Sequence, residues 1–134
     1  MHVIPLHPLF GMEVLGVDLR TVRADHGYAE IRAAFEAHSL LLFRDQELDD
    51  EAHLAFARLF GPLEDREVRP EPKICPVSNV TPDGATAAED DPVTLNQKAN
   101  QLWHTDSTFL PVPALANLLQ ARICLLYTSD AADD

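Results

Sequence analysis

Six histidines occur in the chain, at positions 2, 7, 26, 38, 53 and 104. Five lie where a surface or helix-face role suffices. His104 differs in its neighbours, within the string Trp103, His104, Thr105, Asp106. In a strand, side chains at i and i+2 point to one face. The His104 imidazole and the Asp106 carboxylate can therefore reach one metal ion together. Two histidines and a carboxylate hold non-haem Fe(II) on one face and leave the opposite positions open for co-substrate and oxygen. Spacing alone carries little weight: six histidines and 13 aspartates in 134 residues supply roughly 0.6 such matches by chance. An ordinary His–Asp pair at a strand end is the competing reading. No HExxH, phosphate-binding loop or GxGxxG motif is present. Glu47, Asp49, Asp50 and Glu51 read as a solvated helix start, not a catalytic pair.

The elements that must position such a pair fit one domain with one modest core. Apolar residues make up 46% and charged residues 24% of the chain, ordinary globular usage that argues against wholesale disorder. The net charge of −12 repels nucleic acid phosphates and anionic lipid, so neither nucleic acid nor membrane is an expected partner. No apolar run approaches the roughly 18 residues that span a bilayer. The N-terminus shows no secretory pattern. Cys75 and Cys124 make neither a disulfide framework nor a zinc motif. A reducing, cytoplasmic setting is expected.

Residues 1–20 read as two short extended pieces around Gly11 and Gly16, with Pro5 and Pro8 opposing a helix. Tyr28, Ile31, Phe35 and His38 mark one face of an amphipathic helix. The SLLLF run at 39–43 reads as a buried strand, ended by Arg44, Asp45 and Gln46. Asp49 is a helix N-cap, with Asp50 and Glu51 in the first turn. Ala52, Ala55, Phe56, Leu59 and Phe60 then repeat at helical spacing until Gly61 and Pro62. Packing against a sheet is the ordinary role of both helices. Residues 64–73 read as loop. Residues 74–80 read as a strand that Pro76 confines to an edge or bulge. Residues 81–92 read as an exposed, mobile loop, either a lid or plainly solvated. Residues 102–109 and 114–123 read as ordered, the second as a strand.

The stretch NQLWHTDSTF at 100–109 resembles the iron-binding segment of the TauD/TfdA family of Fe(II)/2-oxoglutarate dioxygenases. Five further blocks resemble it in the same order: PLHPLF at 5–10, VDLR at 17–20, LLFRDQ at 41–46, AFARLFGPLE at 55–64 and SNV at 78–80. The likeness is nearest to the 2,4-dichlorophenoxyacetate dioxygenase branch. It implies a mainly β fold with flanking helices, an incomplete double-stranded β-helix (jelly roll) of the clavaminate synthase-like type. It implies His104 and Asp106 as the first two iron ligands, with Trp103 and Thr105 facing the other way and packing. Asn100 matches a family position near the substrate, although a turn or strand-entry role suits it equally. Lys98 is either an anion contact or a surface lysine. Taurine-type enzymes carry His and Tyr after the FGPL-like segment. Their absence here speaks against taurine and leaves Arg66, Arg69 and Lys73 as anion contacts.

The implied cofactor is Fe(II), with 2-oxoglutarate and O2 as co-substrates and succinate and CO2 as co-products. The implied substrate is a small, aryloxyacetate-like organic anion, with an alkylsulfonate as the alternative. The full-length form is expected to be a homo-oligomer. The family's third ligand, a distal histidine, has no counterpart after His104, nor have the co-substrate's arginine and threonine. Residues 1–123 are thus expected to be the N-terminal part of a single domain. Residues 124–134 read as a non-native tail resembling translated adapter sequence. A non-catalytic fragment that pairs through an unfinished sheet, and a Zn(II)-using cupin-like module, are the competing expectations.

Overall fold

The computed structural model describes residues 1–64, 74–81, 84–99, 102, 104–108 and 110–122. Strand β1 (His2–Pro5) pairs antiparallel with β2 (Met12–Leu15), Val3 opposite Val14 and Ile4 opposite Glu13. The connection closes with Leu6 N–H donating to Gly11 O at 3.0 Å. Gly11 sits at φ 84°, and a Cβ there would lie 3.4 Å from Leu40 Cδ2. Glycine allows both the left-handed backbone and this close approach.

Helix α1 (Tyr28–His38) carries the chain across to β3 (Leu41–Leu42), which pairs parallel with β2. A parallel pair needs such a crossover. The sheet order is β1-β2-β3. Met12 N–H donates to Leu40 O and Gly11 N–H to His38 O, tying the end of α1 to the start of β2. Helix α2 (Asp50–Arg58) starts as its sequence requires: Asp49 caps it by accepting from Ala52 N–H at 2.8 Å.

Leu19, Val22, Ile31 and Phe56 form the buried core, with Ile31 only 1% exposed. Tyr28, Leu41, Phe43, Leu48, Leu59, Phe60 and Leu118 pack around it. Phe60 meets Tyr28, Phe35 and Phe56 edge-to-face, with centroids 5.3, 5.7 and 5.6 Å apart. Phe60, just past α2, thus meets the apolar face of α1 through Tyr28 and Phe35.

Several expectations are corrected. The buried strand at 39–43 shrinks to the half-buried pair Leu41–Leu42. Ser39 (φ 65°) terminates α1 and Leu40 turns back on His38 O, so neither is free to extend the strand. Residues 74–80 form no strand: only the isolated bridge Val80–Thr86 occurs, and 75–80 are exposed. Within 81–92, Thr81 N–H donates to Ala85 O at 2.8 Å and Ala87 N–H to Asn79 O at 2.8 Å. Helix α3 (Pro92–Ala99) then begins, unforeseen in the sequence. A leading proline needs no N–H, and Leu95 N–H donates to Asp91 O in the first turn. Residues 114–122 form no strand, because among the described residues no ladder partner runs beside them. No described helix is long and apolar enough to cross a membrane. The proposed tail at 124–134 lies outside the described residues.

Candidate metal centre

His104 and Asp106 lie beyond α3 in irregular backbone with a bend at Asp106, so their expected strand is not formed. The reason is local. Ser107 adopts φ 58°, a left-handed conformation that ends any extended run, and Leu110 N–H donates to Ser107 O at 3.0 Å.

The two side chains nevertheless converge. His104 Nε2 lies 3.2 Å from Asp106 Oδ1, with 46% and 52% of the side chains exposed. His104 Nδ1 lies 2.7 Å from Leu102 O. A carbonyl only accepts, so Nδ1 carries a proton, and Nε2 is the nitrogen whose lone pair would be offered to a metal ion by the neutral ring. Asp106 Oδ2 accepts from Asn117 Nδ2 at 2.6 Å. Each side chain therefore has its outer atom engaged and its inner atom aimed at the other's.

This donor set fits a metal ion. Two ligand atoms each about 2.1 Å from one ion stand roughly 3.0 Å apart at a right angle and roughly 3.4 Å apart at the tetrahedral angle. The observed 3.2 Å falls between. Metal-bound histidines ordinarily donate their second ring N–H to a carbonyl or carboxylate, the role Leu102 O fills. Among the described residues no third His, Cys, Asp or Glu joins the pair.

Side chains distant in sequence hold this segment. Ser107, only 2% exposed, donates its hydroxyl to the Glu64 carboxylate just beyond α2. Gln120 Nε2 donates to Leu48 O at 2.9 Å, and Arg122 pairs with Asp50 at the first turn of α2. No local spacing in the sequence assigns a holding role to Asn117, Glu64, Ser107 or Gln120. Lys98 lies 3.9 Å from Glu89 and is half exposed, in keeping with the surface role. Asn100, Trp103, Arg66, Arg69 and Lys73 fall outside the described residues. Two concavities, ≈ 250 and ≈ 490 Å³, are lined by neither His104 nor Asp106.

Comparison with known proteins covers nearly the same span. The family described as "Taurine catabolism dioxygenase TauD, TfdA family" matches residues 2–124. An (S)-phenoxypropionate/alpha-ketoglutarate-dioxygenase of Sphingobium herbicidovorans is 38% identical over 123 residues, which is 90% of this chain and 40% of the relative. An alpha-ketoglutarate-dependent 2,4-dichlorophenoxyacetate dioxygenase of Cupriavidus pinatubonensis is 37% identical over 127 residues, 89% of this chain and 44% of the relative. The crystal structure of AAD-2, in complex with Mn(II) and N-oxalylglycine, superposes with a TM-score of 0.69 at 35% identity. That match covers 84% of this chain and 40% of AAD-2. The chain spans about two fifths of the length of these relatives. With the family's pattern running from residue 2 to residue 124, the chain belongs to the TauD/TfdA family.

Proposed function

We propose that this chain is the iron-binding portion of a 2-oxoglutarate-dependent dioxygenase that hydroxylates a small organic anion of the aryloxyacetate type. The observation that carries the reading is the 3.2 Å approach of His104 Nε2 to Asp106 Oδ1, with Nδ1 and Oδ2 tied outward. The fold proposed for the whole is a jelly roll, of which residues 1–123 supply the N-terminal part and 124–134 none. The third iron ligand and the co-substrate's arginine would come from chain beyond this segment.

His104 acts as a neutral ligand whose tautomer is fixed by Leu102 O. Asp106 acts as a charged ligand through Oδ1. Bound Fe(II) supplies the coupling of 2-oxoglutarate decarboxylation to insertion of one oxygen atom from O2 into a substrate C–H bond, giving succinate and CO2. Asn100, with Arg66, Arg69 and Lys73, is proposed to meet the substrate's anionic group. Hydroxylation beside an ether oxygen would yield a hemiacetal that splits to a phenol and glyoxylate. A sulfur oxyanion is the second reading, favoured by a 31% identical alpha-ketoglutarate-dependent sulfate ester dioxygenase of Pseudomonas putida.

The test is succinate and phenol formation by the full-length protein carrying this segment, with Fe(II), ascorbate, 2-oxoglutarate and an aryloxyacetate. His104→Ala and Asp106→Ala should abolish both products, and the 134-residue chain alone should form neither. Turnover that survives the double substitution, or that ignores 2-oxoglutarate and runs on Zn(II), overturns the proposal.

A further inference from the structure

Resting on the metal-site reading above, we propose that Asn117 is a positioning residue: its amide holds Oδ2 of Asp106 and thereby aims Oδ1 at the ion. The carboxylate oxygen can only accept, so the group facing it at 2.6 Å is the Asn117 NH2. A carboxylate turns about its Cβ–Cγ bond with little resistance. Asn117 stops that rotation with Oδ1 at 3.2 Å from His104 Nε2.

Asn117 can serve as a fixed reference because its own segment is anchored on both sides. Leu118 packs against the core cluster of Leu19, Val22, Ile31 and Phe56. Gln120 reaches Leu48 O, and Arg122 reaches Asp50. The ligand loop is meanwhile pinned through Ser107 to Glu64. Both partners of the Asn117–Asp106 bond are thus referred to the two ends of α2. The bond sets the orientation of a ligand without itself touching the metal, the outer-shell role whose loss ordinarily costs 10–100-fold in metal affinity.

Co(II) is the probe, titrated into the full-length protein carrying this segment and followed by its visible absorption. Asn117→Leu removes the donor and keeps the bulk; Asn117→Ala removes both. Each is expected to weaken Co(II) binding by about 10- to 100-fold and to change the shape of the absorption band. The apo-protein's unfolding midpoint should stay unchanged, since the Asn117 side chain is exposed. Should Asn117→Leu fail to fold, Asn117→Ala carries the same comparison. If both folded variants bind Co(II) within twofold of the parent, with the parent's spectrum, the positioning role is refuted. If His104→Ala and Asp106→Ala also leave Co(II) binding intact, the metal-site reading itself fails.

Discussion

Replacing Gln46 by glutamate changes one atom of a side chain that serves three backbone groups. Its Oε1 accepts from Leu19 N–H at 2.9 Å, while its Nε2 donates to Val17 O at 3.0 Å and Arg44 O at 2.9 Å. The amide thereby staples the 17–20 loop, including core residue Leu19, to the exit of β3. Gln46→Glu preserves shape and the acceptor but loses both donations and sets an anion against two carbonyls. Two lost bonds cost about 1 kcal/mol each. Repulsion adds to that, and a stronger bond from Leu19 N–H offsets part of it, leaving a net loss of about 2 kcal/mol at neutral pH. Facing two carbonyls, the new carboxyl should ionise with difficulty, its folded-state pKa lying above the unfolded value. The folded variant then holds its proton more tightly than the unfolded one. Its stability relative to the parent should therefore be greatest below the unfolded pKa and fall as pH rises through the folded one. Urea unfolding of parent and variant at pH 7 and pH 4 reads this directly, the other carboxylates cancelling in the difference. A loss under about 0.5 kcal/mol at pH 7, or a defect that deepens on acidification, refutes the reasoning.

Phe56→Ala, at a 5% exposed site meeting the rings of Phe43 and Phe60, should cost about 3–5 kcal/mol in urea unfolding; a loss under about 1 kcal/mol would place the core elsewhere. The Arg20 guanidinium, hydrogen-bonded to Asp18 through two nitrogens, holds that carboxyl below the usual aspartate value. Its small stabilisation is present above the unfolded pKa and lost as pH falls through the folded one, so an NMR titration of Asp18 with a midpoint at or above the usual value would contradict the pairing. Ser107→Ala keeps the φ of 58° and loses the bond to Glu64, at an expected cost of about 1.5–3 kcal/mol. Ser107→Gly loses the same hydroxyl but relieves the left-handed backbone by about 1 kcal/mol, so equal urea stabilities of the two variants would contradict the strain.

What the sequence shows of the fold is what short-range physics decides. Asp49 ahead of two acids and an apolar stripe is a helix start in any context, and the structure has Asp49 accepting from Ala52 N–H. The Tyr28–His38 helix follows from one apolar face. Strands are different, because a strand exists only beside a partner. The runs at 74–80 and 114–122 are sufficiently apolar, yet no described ladder forms there. Proline misleads in the opposite direction. Pro92 reads as the end of a loop, but its missing N–H costs nothing at the head of α3.

The candidate site divides in the same way. His104 and Asp106 are proposed from their surroundings, since NQLWHTDSTF carries far more information than H-x-D. The route by which they meet is not legible. A strand would bring the pair to one face by alternation alone, whereas here the backbone bends at Asp106 and turns left-handed at Ser107. Convergence then depends on Leu102 O holding one side chain and Asn117 the other. A flat ribbon would tolerate loss of either contact, because its pleat would still present both side chains together. A bent loop has no such default geometry, so its ligand spacing is only as good as the bonds that set it. The residues on which the site's accuracy depends are for that reason Asn117, Ser107 and Glu64, far from any pattern that a single strand or helix could print in the sequence.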